Sequence, residues 1–398
     1  MLTNIPVFEG LNCTINTTED CNLRCKYCYE INKCAKNINL DVCYKFIDII
    51  TGPRDYWTDE MKKIAERGIV LDFIGGDSLM DYKTVDKCME YFVYKMTVNW
   101  PDARWRFSLS TNGTLFSDPG VRAFCEKWKY DLSLGVSIDG CPELHDMNRV
   151  FPDGRGSMAE IIKWRPWYKE TFPVEGLGTK STLAKNSIPY IYDSLVFMHE
   201  ELGLRYINQN FIMEDAHLTE EDLVEFDRQM EKCVDYVLQH SDDLFWSMID
   251  RNFLERKKPD EPIKAESRCG SGCMPCLSID GTIYPCFRWL PHTQNSETGI
   301  TCGNVYIGMT TDGFRLVSDG SKRNVCTRDE KCLTCEYEPC CAYCIGGCYA
   351  EYQDFIRTTH ICEITKLQAK WAEIYWRRYN EKSGNSERNG WHYICETC

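Results

Sequence analysis

Cys21, Cys25 and Cys28 stand as Cys-x3-Cys-x2-Cys in one short loop, directly after a candidate strand at Asn12–Thr17. Three thiolates this close can converge on one metal cluster; a structural zinc knot, or buried cysteines beside a turn, is the alternative reading. Three sulfurs are one short of the four that hold a [4Fe–4S] cube in an electron carrier. A cube held by three can bind a small molecule at its fourth iron. Cys34, six residues beyond Cys28, is the local candidate for a fourth ligand, and its participation would favour an electron carrier over an enzyme.

The chain carries 25 cysteines in 398 residues, with a formal net charge of −14. The start Met-Leu-Thr-Asn-Ile-Pro-Val-Phe-Glu-Gly lacks the regions of a signal peptide, so the cysteines read as metal ligands of a reducing, cytoplasmic setting rather than disulfides. Exposed iron–sulfur clusters are oxygen-sensitive, and an anaerobic host is expected. The acidic balance argues against nucleic acid as main partner. No apolar run is long enough to span a membrane.

From Leu11 to Met213 short apolar strands alternate with amphipathic helices. The strands are expected at Asn12–Thr17, Gly68–Ile74, Trp105–Ser110, Leu132–Ile138, Gly176–Leu183 and Arg205–Ile212. Helices are expected at Leu40–Ile50, Thr84–Val98, Gly120–Lys129, Met158–Thr171, Ser187–Leu202 and Thr219–His240. Six β-then-α units imply an α/β fold with a parallel sheet and chemistry at the C-terminal strand ends. Residues 241–268 read as a linker, 269–362 as a cysteine-rich domain, and 363–398 as a helix followed by a loose tail that ends in Cys395-x2-Cys398. Cys43, Cys88, Cys125 and Cys233 fall within helical patterns and read as small core residues.

The Cys21/Cys25/Cys28 spacing, with Tyr27 before the third cysteine, resembles the radical S-adenosylmethionine (radical SAM) signature. The resemblance implies a partial (β/α)6 TIM barrel over residues 1–240. It also implies that the cluster reduces S-adenosyl-L-methionine and that the 5′-deoxyadenosyl radical then takes a hydrogen from substrate. Gly75-Gly76-Asp77 ends the second strand where the family has Gly-Gly-Glu; its glycines would approach the methionyl end of SAM and Asp77 would accept the ammonium. Ser110 and Asn112 end the third strand and Ser137 the fourth, as candidate carboxylate or ribose contacts. Ser-x-Asp-Gly at 137–140, followed by His145-Asp146 and Arg149, resembles peptide maturases that include the anaerobic sulfatase-maturating enzymes; Arg149 would pair with SAM or substrate. Lys180 on the fifth strand is a further cofactor-binding candidate.

The region from Cys269 resembles the SPASM auxiliary-cluster domain: Cys269, Gly281-x4-Cys286, Cys332-x2-Cys335, Cys344-x3-Cys348 and Cys362 fit its pattern. The resemblance implies two auxiliary [4Fe–4S] clusters, three in all. The first would use Cys269, Cys273 or Cys276, Cys286 and Cys348; the second Cys332, Cys335, Cys344 and Cys362. Cys341 has the family's five-residue spacing from Cys335, whereas Cys344 has the expected Gly-Gly-Cys context and is preferred here. Radical SAM with SPASM implies a peptide substrate. Sulfatase-maturating enzymes place an aspartate directly after the Pro-Cys of the first auxiliary motif, but Pro285-Cys286 is followed by Phe287-Arg288-Trp289. The run resembles instead maturases of cysteine-containing precursors, which implies a thioether synthase of the sactipeptide or ranthipeptide kind. Carbon–carbon cross-linking and formylglycine formation are the alternatives. A ferredoxin or flavodoxin would supply electrons. Only twenty residues precede Cys21, so leader recognition is expected to use another surface or a separate protein.

Overall fold

The computed structural model describes residues 8–297 and 299–383. The Ser383–Gly390 tail beyond its first residue, with Cys395 and Cys398, lies outside the described residues. Six parallel strands run in chain order: β1 Leu11–Thr18, β2 Ile69–Gly75, β3 Trp105–Thr111, β4 Leu132–Val136, β5 Gly178–Leu183 and β6 Tyr206–Phe211. β4, β3, β2 and β1 are neighbours in one sheet, β5 and β6 lie in a second, and a parallel bridge between Ser137 and Lys180 joins the two. The helices between them are α1 Leu40–Thr51, α2 Asp59–Ala65, α3 Tyr82–Asn99, α4 Pro119–Trp128, α5 Pro142–Asn148, α6 Met158–Thr171 and α7 Ile191–Val196; α8, Glu220–Gln239, follows β6.

Strand alternation sorts the side chains into two chemistries. Leu11, Cys13 and Ile15 of β1, Ile69, Leu71 and Phe73 of β2, and Phe107 and Leu109 of β3 are buried in one core with Phe46 and Phe92 of the helices. Each such large apolar side chain contributes roughly 1.5–3 kcal/mol by burial. Most intervening positions are polar, with Val70 and Ile74 of β2 the exceptions: Asn12, Thr14 and Asn16 on β1, Asp72 on β2, Ser108 and Ser110 on β3, and Lys180 and Thr182 on β5. Side-chain atoms of Asn12, Thr14 and Asn16 are buried without a hydrogen-bond partner in the protein. A face of this kind is built to meet polar matter other than its own backbone.

Three elements differ from the sequence expectation. The expected helix Ser187–Leu202 is a 3-10 turn at Lys185–Tyr190, then α7, then a π turn at Phe197–Glu201. Pro189 has no N–H to enter an α-helical ladder, so α7 starts only after it. The 241–268 stretch contains β7, Phe245–Trp246, which pairs parallel with β6. Two residues are too few to show a period. The third difference concerns the cysteine-rich region, whose strands β8 Cys276–Leu277 and β9 Ile283–Tyr284 form a hairpin. β8 pairs with β1 at Thr14–Cys276 and Ile15–Leu277, so this region extends the first sheet. The C-terminal helix Cys362–Ser383 packs along α8, with Asp227 taking Lys370 at 2.7 Å and Trp371 at 2.6 Å, and Asp235 taking Arg378 at 2.6 Å. Among the described residues, no helix is long and apolar enough to cross a membrane.

Candidate active site

The loop after β1 is held at the C-terminal strand ends by its backbone. Gly76 N–H donates to Thr18 O at 3.0 Å and Asp77 N–H to Asp20 O at 3.0 Å, while Arg24 and Lys26 donate to Val150 and Asn148 at 2.7 and 3.0 Å. Gly75 has φ +148°, and a Cβ there would lie 2.2 Å from Thr18 O; one at Gly76 would lie 1.9 Å from Asp20 O. The close approach that these glycines permit is therefore to the cysteine loop itself.

Asp77 is 2% exposed and accepts from Leu79 N at 3.1 Å, Asn112 N at 2.8 Å and Thr111 Oγ1 at 2.9 Å. It ties the end of β2 to that of β3. These hydrogen bonds fix the orientation of the carboxylate that the resemblance assigns to the SAM ammonium. Burial raises its pKa, against these hydrogen bonds.

Each cysteine of the loop receives one side-chain N–H donor. Asn112 Nδ2 lies 3.9 Å from Cys21 Sγ, Arg149 Nη1 4.0 Å from Cys25 Sγ, and Lys33 Nζ 3.1 Å from Cys28 Sγ. Asn112 also donates to Asn22 Oδ1 at 2.8 Å, which locks the loop to β3. Burial pushes the Cys21 thiol up to about 12 and raises Cys25, whose rise Arg149 opposes. Such thiols stay protonated at neutral pH until a metal cation displaces the proton. No described cysteine is in a disulfide. Cys34 donates its thiol to Glu19 at 2.9 Å, away from this donor set.

Arg149 donates Nε–H to Asp139 at 3.0 Å, and Tyr27 donates its hydroxyl to the same oxygen. Asp139 is fully buried and accepts Thr182 N at 3.0 Å. It is the aspartate of the Ser-x-Asp-Gly motif, and the motif alone gives no sign of this buried role. Ser110 accepts Lys180 Nζ at 3.0 Å, and Ser137 is the backbone partner of Lys180. Lys33 also meets Glu30 at 2.8 Å; burial works against its charge, and Glu30 and Cys28 outweigh it and raise its pKa. His292, 2% exposed, stands 3.7 Å from Glu19 and 3.5 Å from Glu30, which links the loop to the cysteine-rich region. No spacing rule connects residues 262 or more positions apart. A cavity of about 600 Å3 opens beside Tyr27 and Asn148, bordered by Lys185, Ile212, Asp222 and Glu225.

The second cysteine region divides differently from its expected pairing. The Cys269 thiol interacts with Cys344 and Cys286, and Cys276 with Cys286. Cys332 and Cys362 each interact with Cys341, and Cys362 also with Cys335. Cys344 thus neighbours Cys269 and Cys286, and Cys341 neighbours Cys332 and Cys362, with Cys335 also near Cys362. Cys273 lies against Glu60 and Ser318 instead of another cysteine. Cys348 accepts Thr358 N at 3.4 Å and neighbours Cys344. The physical reason is local. Cys344 is the N-cap of a helix, Ile345–Tyr352, which aims it at the β9 end, while Cys341 ends a separate 3-10 turn, Glu338–Cys340. Buried guanidiniums accompany both groups: Arg288 faces Cys344, and Arg357 faces Cys341 and Cys332.

No family model matches the chain. The uncharacterized protein MJ0907 of Methanocaldococcus jannaschii is 23% identical over 185 residues, 46% of this chain and 57% of that protein, so the match spans little more than half of that relative. A cysteine-type anaerobic sulfatase-maturating enzyme of Clostridium novyi is 23% identical over 352 residues, 83% of this chain and 85% of the enzyme. The solved structure of native anSMEcpe with bound AdoMet superposes with TM-score 0.68 at 17% identity, covering 94% of this chain and 99% of that one. Streptococcus suis SuiB, solved with its precursor peptide SuiA, superposes with TM-score 0.57 at 16% identity over 89% of this chain and 76% of its own. The fold is that of the radical SAM maturases. Within that class, the chain resembles the peptide maturases related to the anaerobic sulfatase-maturating enzymes.

Proposed function

We propose that this chain is a radical SAM enzyme that installs thioether links, cysteine sulfur to carbon, in a cysteine-containing peptide. The observation that carries the first half is the set of three thiols at the end of β1, each facing one side-chain N–H donor. The donor set fits a cluster: thiolates are its ligands, and hydrogen bonds to their sulfurs tune its potential. When bound, the cluster and S-adenosyl-L-methionine supply a one-electron cleavage and a hydrogen-abstracting 5′-deoxyadenosyl radical. The strands form the partial (β/α)6 barrel of that chemistry, and its polar inner face, Asn12 to Lys180, receives the polar cofactor.

Cys21, Cys25 and Cys28 hold the catalytic cluster. Asn112 and the Asp77–Thr111 strut fix its loop, and Arg149, oriented by Asp139, offsets thiolate charge. Gly75, Gly76, Ser110, Ser137 and Lys180 border the cofactor. Two SPASM-type auxiliary clusters are assigned to Cys269, Cys276, Cys286 and Cys344, and to Cys332, Cys335, Cys341 and Cys362. The cavity beside Tyr27 takes the peptide, and its rim of Lys185, Asp222 and Glu225 offers charges of both signs to the peptide's side chains. A ferredoxin or flavodoxin class protein reduces the clusters.

The residue after Cys286 is Phe287, which packs 5.9 Å from Tyr29 and offers no base, and this favours thioether formation. Formylglycine formation is the second reading, supported by the similarity to the cysteine-type anaerobic sulfatase-maturating enzyme of Clostridium novyi. The test is anaerobic incubation of the reconstituted enzyme, reductant and S-adenosyl-L-methionine with cysteine-containing peptides encoded beside its gene. Loss of one hydrogen pair per link, together with loss of an alkylatable thiol, supports the thioether. A hydrazide-reactive aldehyde in place of the cysteine supports the second reading and overturns the first.

A further inference from the structure

Far from the cysteine loop, at the N-terminal ends of β6 and β7, three further ligand-bearing residues converge. His199, His240 and Asp243 each offer one ligand atom, and the three atoms lie within 4.8 Å of one another. Different elements deliver them. His199 sits on the π turn Phe197–Glu201, where Leu202 N–H donates to Phe197 O at 3.1 Å, five residues back. Single π turns inside helices recur at functional sites because the extra residue re-aims a side chain. His240 caps the C-terminal end of α8, and Asp243 lies in the turn that enters β7.

Hydrogen-bond bookkeeping fixes what faces what. Tyr236 donates its hydroxyl to Glu200 Oε1 at 2.9 Å, because a carboxylate only accepts. The contact of 2.7 Å between His199 Nδ1 and Tyr236 Oη is then a donation from Nδ1–H. In a neutral ring this leaves the lone pair on Nε2. Nε2 lies 3.5 Å from Asp243 Oδ2, longer than a full hydrogen bond. Two electron-pair donors, with a second imidazole beside them, do not hold each other in place. A cation between them does. Arg205 binds the same carboxylate from outside, at 2.5 Å, and keeps it ionised.

We propose that His199 Nε2, His240 and Asp243 form a divalent transition-metal site of the zinc class, with water as fourth ligand. Imidazole with carboxylate is a zinc-type donor set. Tetrahedral zinc at its usual bond lengths separates ligand atoms by about 3.4 Å, so the 3.5 Å gap between His199 and Asp243 needs almost no closure, while His240, within 4.8 Å, swings in to complete the set. The Tyr236–Glu200 relay on Nδ1 is the outer partner that ligating histidines characteristically have. The metal ties α8, the π turn and β7 together at the edge opposite the chemistry, and its role is structural.

The test uses holoenzyme with its iron–sulfur clusters filled, so that free thiols do not compete. Crystals grown with zinc are measured on both sides of the zinc absorption edge, and metal content is read in parallel. The expected result is an anomalous peak bonded to His199, His240 and Asp243, and roughly one equivalent of zinc that both His240→Gln and Asp243→Asn lose while S-adenosyl-L-methionine cleavage is retained. Wild-type crystals without the peak, with Nε2 closed onto Asp243 at hydrogen-bond distance, overturn the proposal and mark a plain ion pair. Zinc content unchanged in both variants overturns it as well.

Discussion

The two cysteine regions solve the same problem with opposite means. Around Cys21, Cys25 and Cys28 the scaffold stands without metal: a continuous apolar core lies beneath the sheet, and the loop is pinned by backbone hydrogen bonds and the Asp77 strut. Around Cys269–Cys362 the cysteines are themselves much of the core. The buried cluster there is Met274, Cys276, Tyr284, Cys286, Trp289, Leu290, Val317, Cys326, Ile345 and Cys348, with strands of two residues. Arginines accompany the thiols in both, Arg149 in the first and Arg288 and Arg357 in the second. Under the proposed function, metal would serve chemistry in the first region and folding as well as chemistry in the second.

Substitutions can break that contrast. Cys25→Ala is expected to abolish S-adenosyl-L-methionine cleavage yet move Tm by no more than roughly 2–4 °C, the equivalent of about 1 kcal/mol in a chain of this class. Cys341→Ala, by the same logic, should lose iron and lower Tm further than Cys25→Ala does, whereas Cys273→Ala should keep full iron content. Iron analysis with thermal unfolding reads all three. Equal Tm losses in Cys25→Ala and Cys341→Ala would erase the distinction.

Next in size is Glu338, 2% exposed between Arg323 and Arg357, the latter donating at 2.8 Å. Glu338→Gln leaves two buried guanidiniums without their counter-charge and should cost about 3–5 kcal/mol, read by denaturant unfolding. In the first region, burial lowers the His145 pKa to about 4 from 6.5. The unfolded chain takes up that proton first, so stability should fall as pH drops from 6.5 and level off near 4. The loss is on the order of 3 kcal/mol, and His145→Gln should flatten it in pH-dependent unfolding. The smallest effect expected is at the α8 cap. Thr219 Oγ1 accepts Asp222 N at 3.4 Å, and Thr219→Ala should cost about 1 kcal/mol, seen as a small Tm shift.

The same contrast governs what the sequence revealed. β1 to β6 emerged within two residues because period-two apolar patterning reports a core that the chain itself supplies. Cys43, Cys88, Cys125 and Cys233 are fully buried helix residues, as their patterns suggested. Helix α2 escaped notice: it is seven residues long, and its main signal is the Thr58 cap. In the second region, patterning is weak because cysteines replace the apolar alternation. Spacing alone pointed to Cys341, while the Gly-Gly-Cys context pointed to Cys344, and only the helix that begins at Ile345 shows which way each thiol faces. The Asp139–Arg149–Tyr27 relay and the Glu19–His292–Glu30 contact join distant positions, and no local pattern encodes such pairings.

The central claim is a cluster held by three sulfurs and available to a cofactor. Anaerobically reconstituted protein, reduced and given S-adenosyl-L-methionine, should release 5′-deoxyadenosine, and Cys25→Ala under the same conditions should release none. Wild-type protein that carries a full cluster at Cys21, Cys25 and Cys28, accepts electrons and releases no 5′-deoxyadenosine would contradict the account.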